Sequence, residues 1–208
     1  MKIEKSLSLS GSLVRLEPLD HRHVDGLVAA SAVDPSLYQW SPVPQGRTAA
    51  LAYVETAISW REAETAIPFA IVRLQDKTVI GSTRLWNIER WSWPQGHPRQ
   101  GSAVDGCEIG YTWFTSSAIR SGANTECKSL MLAHAFEVWK ALRVCLHTDA
   151  RNLRSRAAIE RIGAKFEGIL RAHRMAADFI PRDSVRYSII ADEWPSVKER
   201  LARLTKRD

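Results

Sequence analysis

Residues 108–128, EIGYTWFTSSAIRSGANTECK, hold the densest set of groups able to do chemistry in this chain. A strand pattern, starting at Glu108, runs into a turn and then into a helix whose first residues are small and polar. The first backbone N–H groups of a helix have no partner within it, and the helix dipole makes that end positive. Gly122, Ala123 and Asn124 are compact enough to let a diphosphate reach those amides. Ser121 and Thr125 add hydroxyls and Arg120 a positive charge. An unliganded loop with Asn124 capping the helix would use the same residues, so this segment alone leaves both readings open.

A second set lies at 147–164, HTDARNLRSRAAIERIGA. A strand end delivers Asn152 and Ser155 to the start of a short helix. Asn152 can donate and accept, while Ser155 can cap the helix or give a proton. Arg151, Arg154 and Arg156 place positive charge nearby, which suits a phosphate and equally an exposed turn. No GxGxxG, GxxxxGK[ST] or HExxH pattern occurs, which argues against dinucleotide, nucleoside-triphosphate and zinc-protease chemistry. His21 and His23 are two apart and diverge on a helix, and His134 falls within a long helix as a structural residue.

The elements that must position these residues follow from the apolar periods. A strand at Leu13–Glu17 precedes Asp20, an N-cap for a helix carrying Val24, Leu27 and Val28. After Pro35, Pro42 and Pro44, a second helix lines up Leu51, Val54 and Ile58. Pro68–Leu74 and Thr78–Trp86 form a hairpin, and residues 87–105 form a long loop rich in Pro and Gly. The strand Gly106–Phe114 leads to a helix with Cys127, Leu130, Met131, Val138 and Leu142 on one side. Then come a strand at Arg143–Ala150, a helix at Ser155–Ile162 ended by Gly163, and a hairpin of Lys165–Met175 with Ser184–Ile190. Trp194, Val197, Leu201 and Leu204 mark a closing helix. The order gives a mixed α/β fold with a largely antiparallel sheet and one parallel strand-helix-strand crossover. One domain over 1–208 is expected, with its core at about 11–191 and a C-terminal helix at 192–205.

Hydrophobic residues make up 45% of the chain and charged residues 25%, an ordinary globular composition. No apolar stretch suits a membrane span or a signal peptide, so a cytoplasmic protein is expected. Cys107, Cys127 and Cys145 lie apart within apolar patterns, as buried free thiols do. The net charge of +6 favours anionic partners, yet 23 acidic residues are interspersed with 29 basic ones, so a nucleic-acid binder rests on charge alone.

EIGYTW at 108–113, RSGANTECK at 120–128 and TDARNLRSRAAIERIGA at 148–164 together resemble the GNAT acetyltransferase superfamily, in its RimJ/RimL-like branch. The resemblance spans about Leu13 to Ile190. In the family's phosphate loop, R/Q-x-x-G-x-G/A, Gly122 holds the central glycine, whereas Ile119 replaces the leading Arg or Gln and Asn124 the last small residue. The family fold implies a twisted sheet with a splayed strand pair, Gly106–Phe114 and Arg143–Ala150, and flanking helices. Acetyl-CoA would lie between these strands as cosubstrate, held by Arg120–Thr125 and by main-chain groups near Trp113 and Phe114, with Asn152 and Ser155 beside its thioester. A neutral amine would attack the acetyl carbonyl directly, without an acyl-enzyme and without a metal. Glu108 is the candidate base and Ser155 the candidate acid, with Asn152 beside them; Glu108 could equally be a sheet-edge carboxylate paired with an arginine.

The acceptor is a primary amine on a protein N-terminus, an amino acid or aminoacyl conjugate, or a small molecule. Trp86, Trp91 and Trp93 fall within eight positions and suggest an acceptor with a planar group, Arg90 and Arg99 suiting a phosphate or carboxylate on it. Trp86, in a strand, is also a candidate for the core. The alternative to an enzyme is a catalytically inactive CoA-binding regulatory module. Either form could be a monomer or a homodimer.

Overall fold

The computed structural model describes residues 4–101 and 104–205. Eight strands form one sheet, in the order β1 (Leu9–Ser10), β2 (Val14–Pro18), β3 (Ala66–Arg73), β4 (Val79–Glu89), β5 (Gly106–Phe114), β6 (Arg143–Asp149), β8 (Pro181–Ile190), β7 (Lys165–Met175). Neighbouring strands are antiparallel except β5 and β6, which are parallel and joined through the helix α3 (Ala123–Ala133). The expected mixed α/β architecture is therefore present. Strand β3 is buried along nearly its whole length because helices cover both faces of the sheet. Ile67, Phe69 and Ile71 point into the core shared with α3 and the closing helix α5 (Trp194–Thr205). Ala70 joins a second core beneath α1 (Val24–Ala32) and α2 (Gly46–Glu62).

Several elements depart from their expected limits. Asp20 does cap, but what it caps is a short 3-10 turn, His21–His23, ahead of α1; His23 Nδ1 accepts in return from the Asp20 amide. Strand β4 continues past Trp86 to Glu89, which shortens the loop after it. The helix expected to carry Val138 and Leu142 ends sooner, through one wide turn at His134–Val138 and a left-handed Lys140. Val138 is consequently 56% exposed.

Glu126, buried in the first turns of α3, fastens that helix to the turn between β1 and β2. Its carboxylate accepts from the amides of Ser12, Leu13 and Val14, each at 2.8 Å, and from the Ser12 hydroxyl at 2.6 Å. Burial alone would raise the carboxyl's pKa, but these hydrogen bonds outweigh it and hold the group below the usual glutamate value. Glu126→Gln is expected to cost roughly 3 kcal/mol in urea unfolding, since the amide keeps the shape but loses charge-assisted acceptance. With the folded pKa depressed, Glu126 contributes stability above the unfolded carboxyl pKa of about 4.3. That contribution is lost as pH falls through the lower folded value, so the difference between wild type and variant should shrink below pH of about 4.

One irregularity shapes the region of interest. Ser82 pairs with Trp113 but Arg84 with Gly110, so Thr83 alone faces both Tyr111 and Thr112. This is a β-bulge, with Tyr111 at φ 53°. The extra residue reverses the alternation of side chains. Trp113 thus faces the α1–α2 side, as Glu108 does, while Thr112 turns toward Lys128 of α3.

Candidate active site

Strands β5 and β6 pair only at Gly106–Arg143, Cys107–Val144 and Glu108–Cys145. Beyond that point they diverge, and a cleft of about 940 Å³ opens between them. Its walls come from the outer half of β5, the start of α3, the end of β6, the start of α4 (Leu153–Arg161), and the hairpin β7–β8.

At one end lies the N-terminus of α3. Gly122 is its N-cap, at φ 77°, in the left-handed region that a side chain tolerates poorly. No side chain caps this helix, so Asn124 does not act as the cap; it lines the cleft instead. Arg120, Ser121 and Thr125 line it too, and Arg120 is exposed with no ion pair among the described residues. The Thr125 hydroxyl accepts from Arg161 at 2.7 Å. Ala123 is buried, so its side chain belongs to the core rather than to the cleft wall. Lys128, one turn further on, was not anticipated. It lines the cleft, donates to the Thr112 hydroxyl at 2.7 Å, and burial lowers its pKa to about 8.

Trp113 and Phe114 form the outer edge of β5. The Trp113 ring packs edge-on to Tyr38 at 5.7 Å, and the Phe114 carbonyl accepts from the Tyr38 hydroxyl at 3.1 Å. Opposite them, Asn152 is the N-cap of α4 and accepts from the Ser155 amide at 3.0 Å. The cap expected of Ser155 is thus supplied by Asn152, because the chain enters the helix two residues earlier. Both residues line the cleft, and the Ser155 hydroxyl donates to no protein group among the described residues.

Glu108 sits where the strands part and is 2% exposed. Its Oε2 lies 3.0 Å from His147 Nδ1 and 3.4 Å from Arg174 Nη2. It therefore faces the cleft and pairs with an arginine, but β5 lies between β4 and β6 inside the sheet, so Glu108 is not the sheet-edge carboxylate expected as the alternative. His147 comes from the end of β6 and Arg174 from β7, and neither was singled out from the sequence.

Trp86 lies across Gly110 on the same wall. A Cβ on Gly110 would stand 2.5 Å from the indole nitrogen, so glycine is what lets the ring lie flat. Tyr111 meets that ring edge-on at 5.2 Å, and Arg174 stacks on it at 4.4 Å. Trp91 and Trp93 are held elsewhere, away from the cleft walls. Asp105, almost fully buried, gathers their loop: it accepts from the Trp91 amide at 2.8 Å, from the Trp93 indole at 2.9 Å, and from Arg99 at 2.8 Å. Arg90 faces Glu64 at 3.4 Å. The loop's aromatic and basic residues are thus satisfied by the carboxylates of Asp105, Glu89 and Glu64, and Trp86 is the member of the trio that lines the cleft.

The three cysteines are free and buried, and burial raises the thiols of Cys107 and Cys127 far from ionisation, that of Cys127 to about 12. No group of residues able to hold a metal ion occurs among the described residues.

The model of the acetyltransferase (GNAT) domain matches residues 14–165. A GCN5-related N-acetyltransferase from Brucella melitensis superposes with a TM-score of 0.82 at 28% identity, over 98% of this chain and 87% of that one. A protein from T. thermophilus assigned to the acetyltransferases superposes with a TM-score of 0.76 at 33% identity, over 94% of this chain and 95% of that one. Mycobacterium smegmatis RimJ, in complex with CoA-disulfide, shares the fold with a TM-score of 0.76 at 22% identity, over 95% of this chain and 94% of that one. No curated protein matches in sequence. With the domain match covering most of the chain and the splayed strands in place, the protein belongs to the GNAT acetyltransferase family and is an acetyl-CoA-dependent N-acetyltransferase.

Proposed function

We propose that the protein transfers an acetyl group to a primary amine by direct attack in the cleft between β5 and β6, with Glu108 as base, and that it belongs to the RimJ/RimL-like branch. The observation that carries this is the buried Glu108 at the fork of the two strands, opposite the free Ser155 hydroxyl across one cleft. The residues present fit acetyl-CoA. An uncapped helix start with a left-handed glycine suits the diphosphate, and unpaired strand edges suit the pantetheine arm. When bound, acetyl-CoA supplies an activated carbonyl and a thiolate leaving group. Glu108 takes the amine's proton, directly or through water, while Arg174 donates to its Oε2 at 3.4 Å and the His147 ring stands beside it. Ser155 donates a proton toward the departing sulfur, and Asn152 holds the turn that presents it.

Ser155→Ala tests the acid. Because Asn152 supplies the cap, the variant should keep its stability within about 0.5 kcal/mol, as for substitutions away from capping and core features. It should lower kcat by about tenfold or more, leaving the acetyl-CoA Kd little changed. A loss of thermal stability with unaltered kcat would contradict the assignment.

A further inference from the structure

The C-terminal hairpin places Arg174 of β7 directly opposite Arg182 of β8. Both line the cleft on the wall that carries Glu108 and Trp86. Like charges facing each other across a strand pair destabilise a sheet, and here little neutralises them. Among the described residues, Arg174 has Glu108 as its one ion-pair partner, at 3.4 Å. Arg182 has none there, its Nε donating to the Ser184 hydroxyl at 3.0 Å. Burial and the charge of Arg174 push the Arg182 guanidinium below its ordinary pKa. A third arginine, Arg84, stands behind the same wall at 1% exposure, with Nε and Nη1 unpartnered. The ring faces of Tyr53, Trp60 and Tyr111 lie against it, at 4.5, 4.8 and 4.4 Å. Two carboxylates act on these arginines, Glu108 and the buried Asp149, and Asp149 is already paired with Arg151 at 2.8 Å, so the wall keeps an excess of positive charge.

We propose that Arg174 and Arg182 bind an acidic group, carboxylate or phosphate, carried by the acceptor within a few bonds of its reactive amine. This rests on Glu108 being the base. A guanidinium 3.4 Å from that base requires amine and acid to be close in the same small molecule. An amino acid or an aminoalkyl phosphate meets this condition, whereas a peptide N-terminus carries a neutral amide at that place. Trp86 holds the Arg174 fork flat at 4.4 Å, the orientation that paired hydrogen bonds to an oxyanion need. The surrounding cations also disfavour the ammonium form of the acceptor, which leaves more of its amine neutral for attack.

Matched acceptors test this: phenylalanine against phenylalaninamide, and O-phosphoethanolamine against ethanolamine. Thiol release gives kcat/KM, and calorimetry with the CoA-loaded protein gives Kd. In at least one pair the acid-bearing member should lead by about tenfold or more in both measures, the scale of one charge-assisted hydrogen bond. Which pair responds tells carboxylate from phosphate. Arg182→Gln should bring that ratio close to one without altering acetyl-CoA affinity. Equal values within both pairs, a ratio that the variant leaves intact, or transfer confined to neutral amines overturns the proposal. Selective binding of the acid that Arg182→Gln abolishes, with no thiol release from any acceptor, keeps the acidic subsite and defeats Glu108 as base.

Discussion

Glu108→Gln should lower kcat by about 100-fold near neutral pH, within the range that a positioned base contributes. The amide fits the same space and can still touch His147 and Arg174, so the packing at the fork should survive. What it cannot do is accept a proton from the attacking amine. Activity should recover in part as pH rises, because more of the acceptor is then already neutral. The acetyl-CoA Kd should stay close to wild type, since the diphosphate end of the cleft is formed by α3 and not by β5. The measurement is a pH profile of kcat for both proteins with one amine. If Glu108 served only as the partner of Arg174, the variant would lose thermal stability and keep its kcat.

At the other end of the cleft, Gly122→Val should weaken acetyl-CoA binding by about 100-fold, equivalent to ~3 kcal/mol or the loss of roughly two charge-assisted hydrogen bonds. A Cβ at this position would stand where the diphosphate must meet the backbone. The left-handed φ of 77° adds strain of about 1–2 kcal/mol in the folded protein. Calorimetry well below the unfolding midpoint, with circular dichroism to show that the fold persists, separates these effects. Gly122→Ala provides a second case with a smaller intrusion and should fall between the two proteins. Folded variants that bind acetyl-CoA like the wild type would show that the diphosphate lies elsewhere.

The order of elements was legible because it rests on local signals: short apolar runs in β3 to β6 bounded by turn residues, helical spacing in α1, α2 and α5, and Gly163 closing α4. The two-residue β1 is too short to show a period. Val138 and Leu142 continue the apolar spacing of α3, yet the wide turn at His134 and the left-handed Lys140 end that helix early. Spacing says nothing about such a termination.

Around the cleft, lining residues contiguous in sequence were legible and those brought together by strand pairing were not. Gly122, Asn124, Thr125, Asn152 and Ser155 occur in two short segments and all reach the cleft. His147 stands in the same run as Asn152, but its contact with Glu108 depends on the parallel pairing of β5 with β6. Arg174 and Arg182 face each other only because the turn of the last hairpin sets their register. Trp86, Trp91 and Trp93 cluster in the sequence, but among them only Trp86 lines the cleft. Chain proximity joins them, but the buried Asp105 draws the latter two away.

The most direct test of the central reading is acetyl transfer itself, followed by two readouts on one sample. The protein is incubated with acetyl-CoA and a panel of primary amines, thiol release is recorded, and each amine is weighed for the gain of one acetyl group. Expected are equal amounts of thiol and acetylated amine, no acetyl group retained on the protein, and both signals rising about 100-fold more slowly in Glu108→Gln at neutral pH. Saturable binding of acetyl-CoA with no mass gain in any amine would contradict the account.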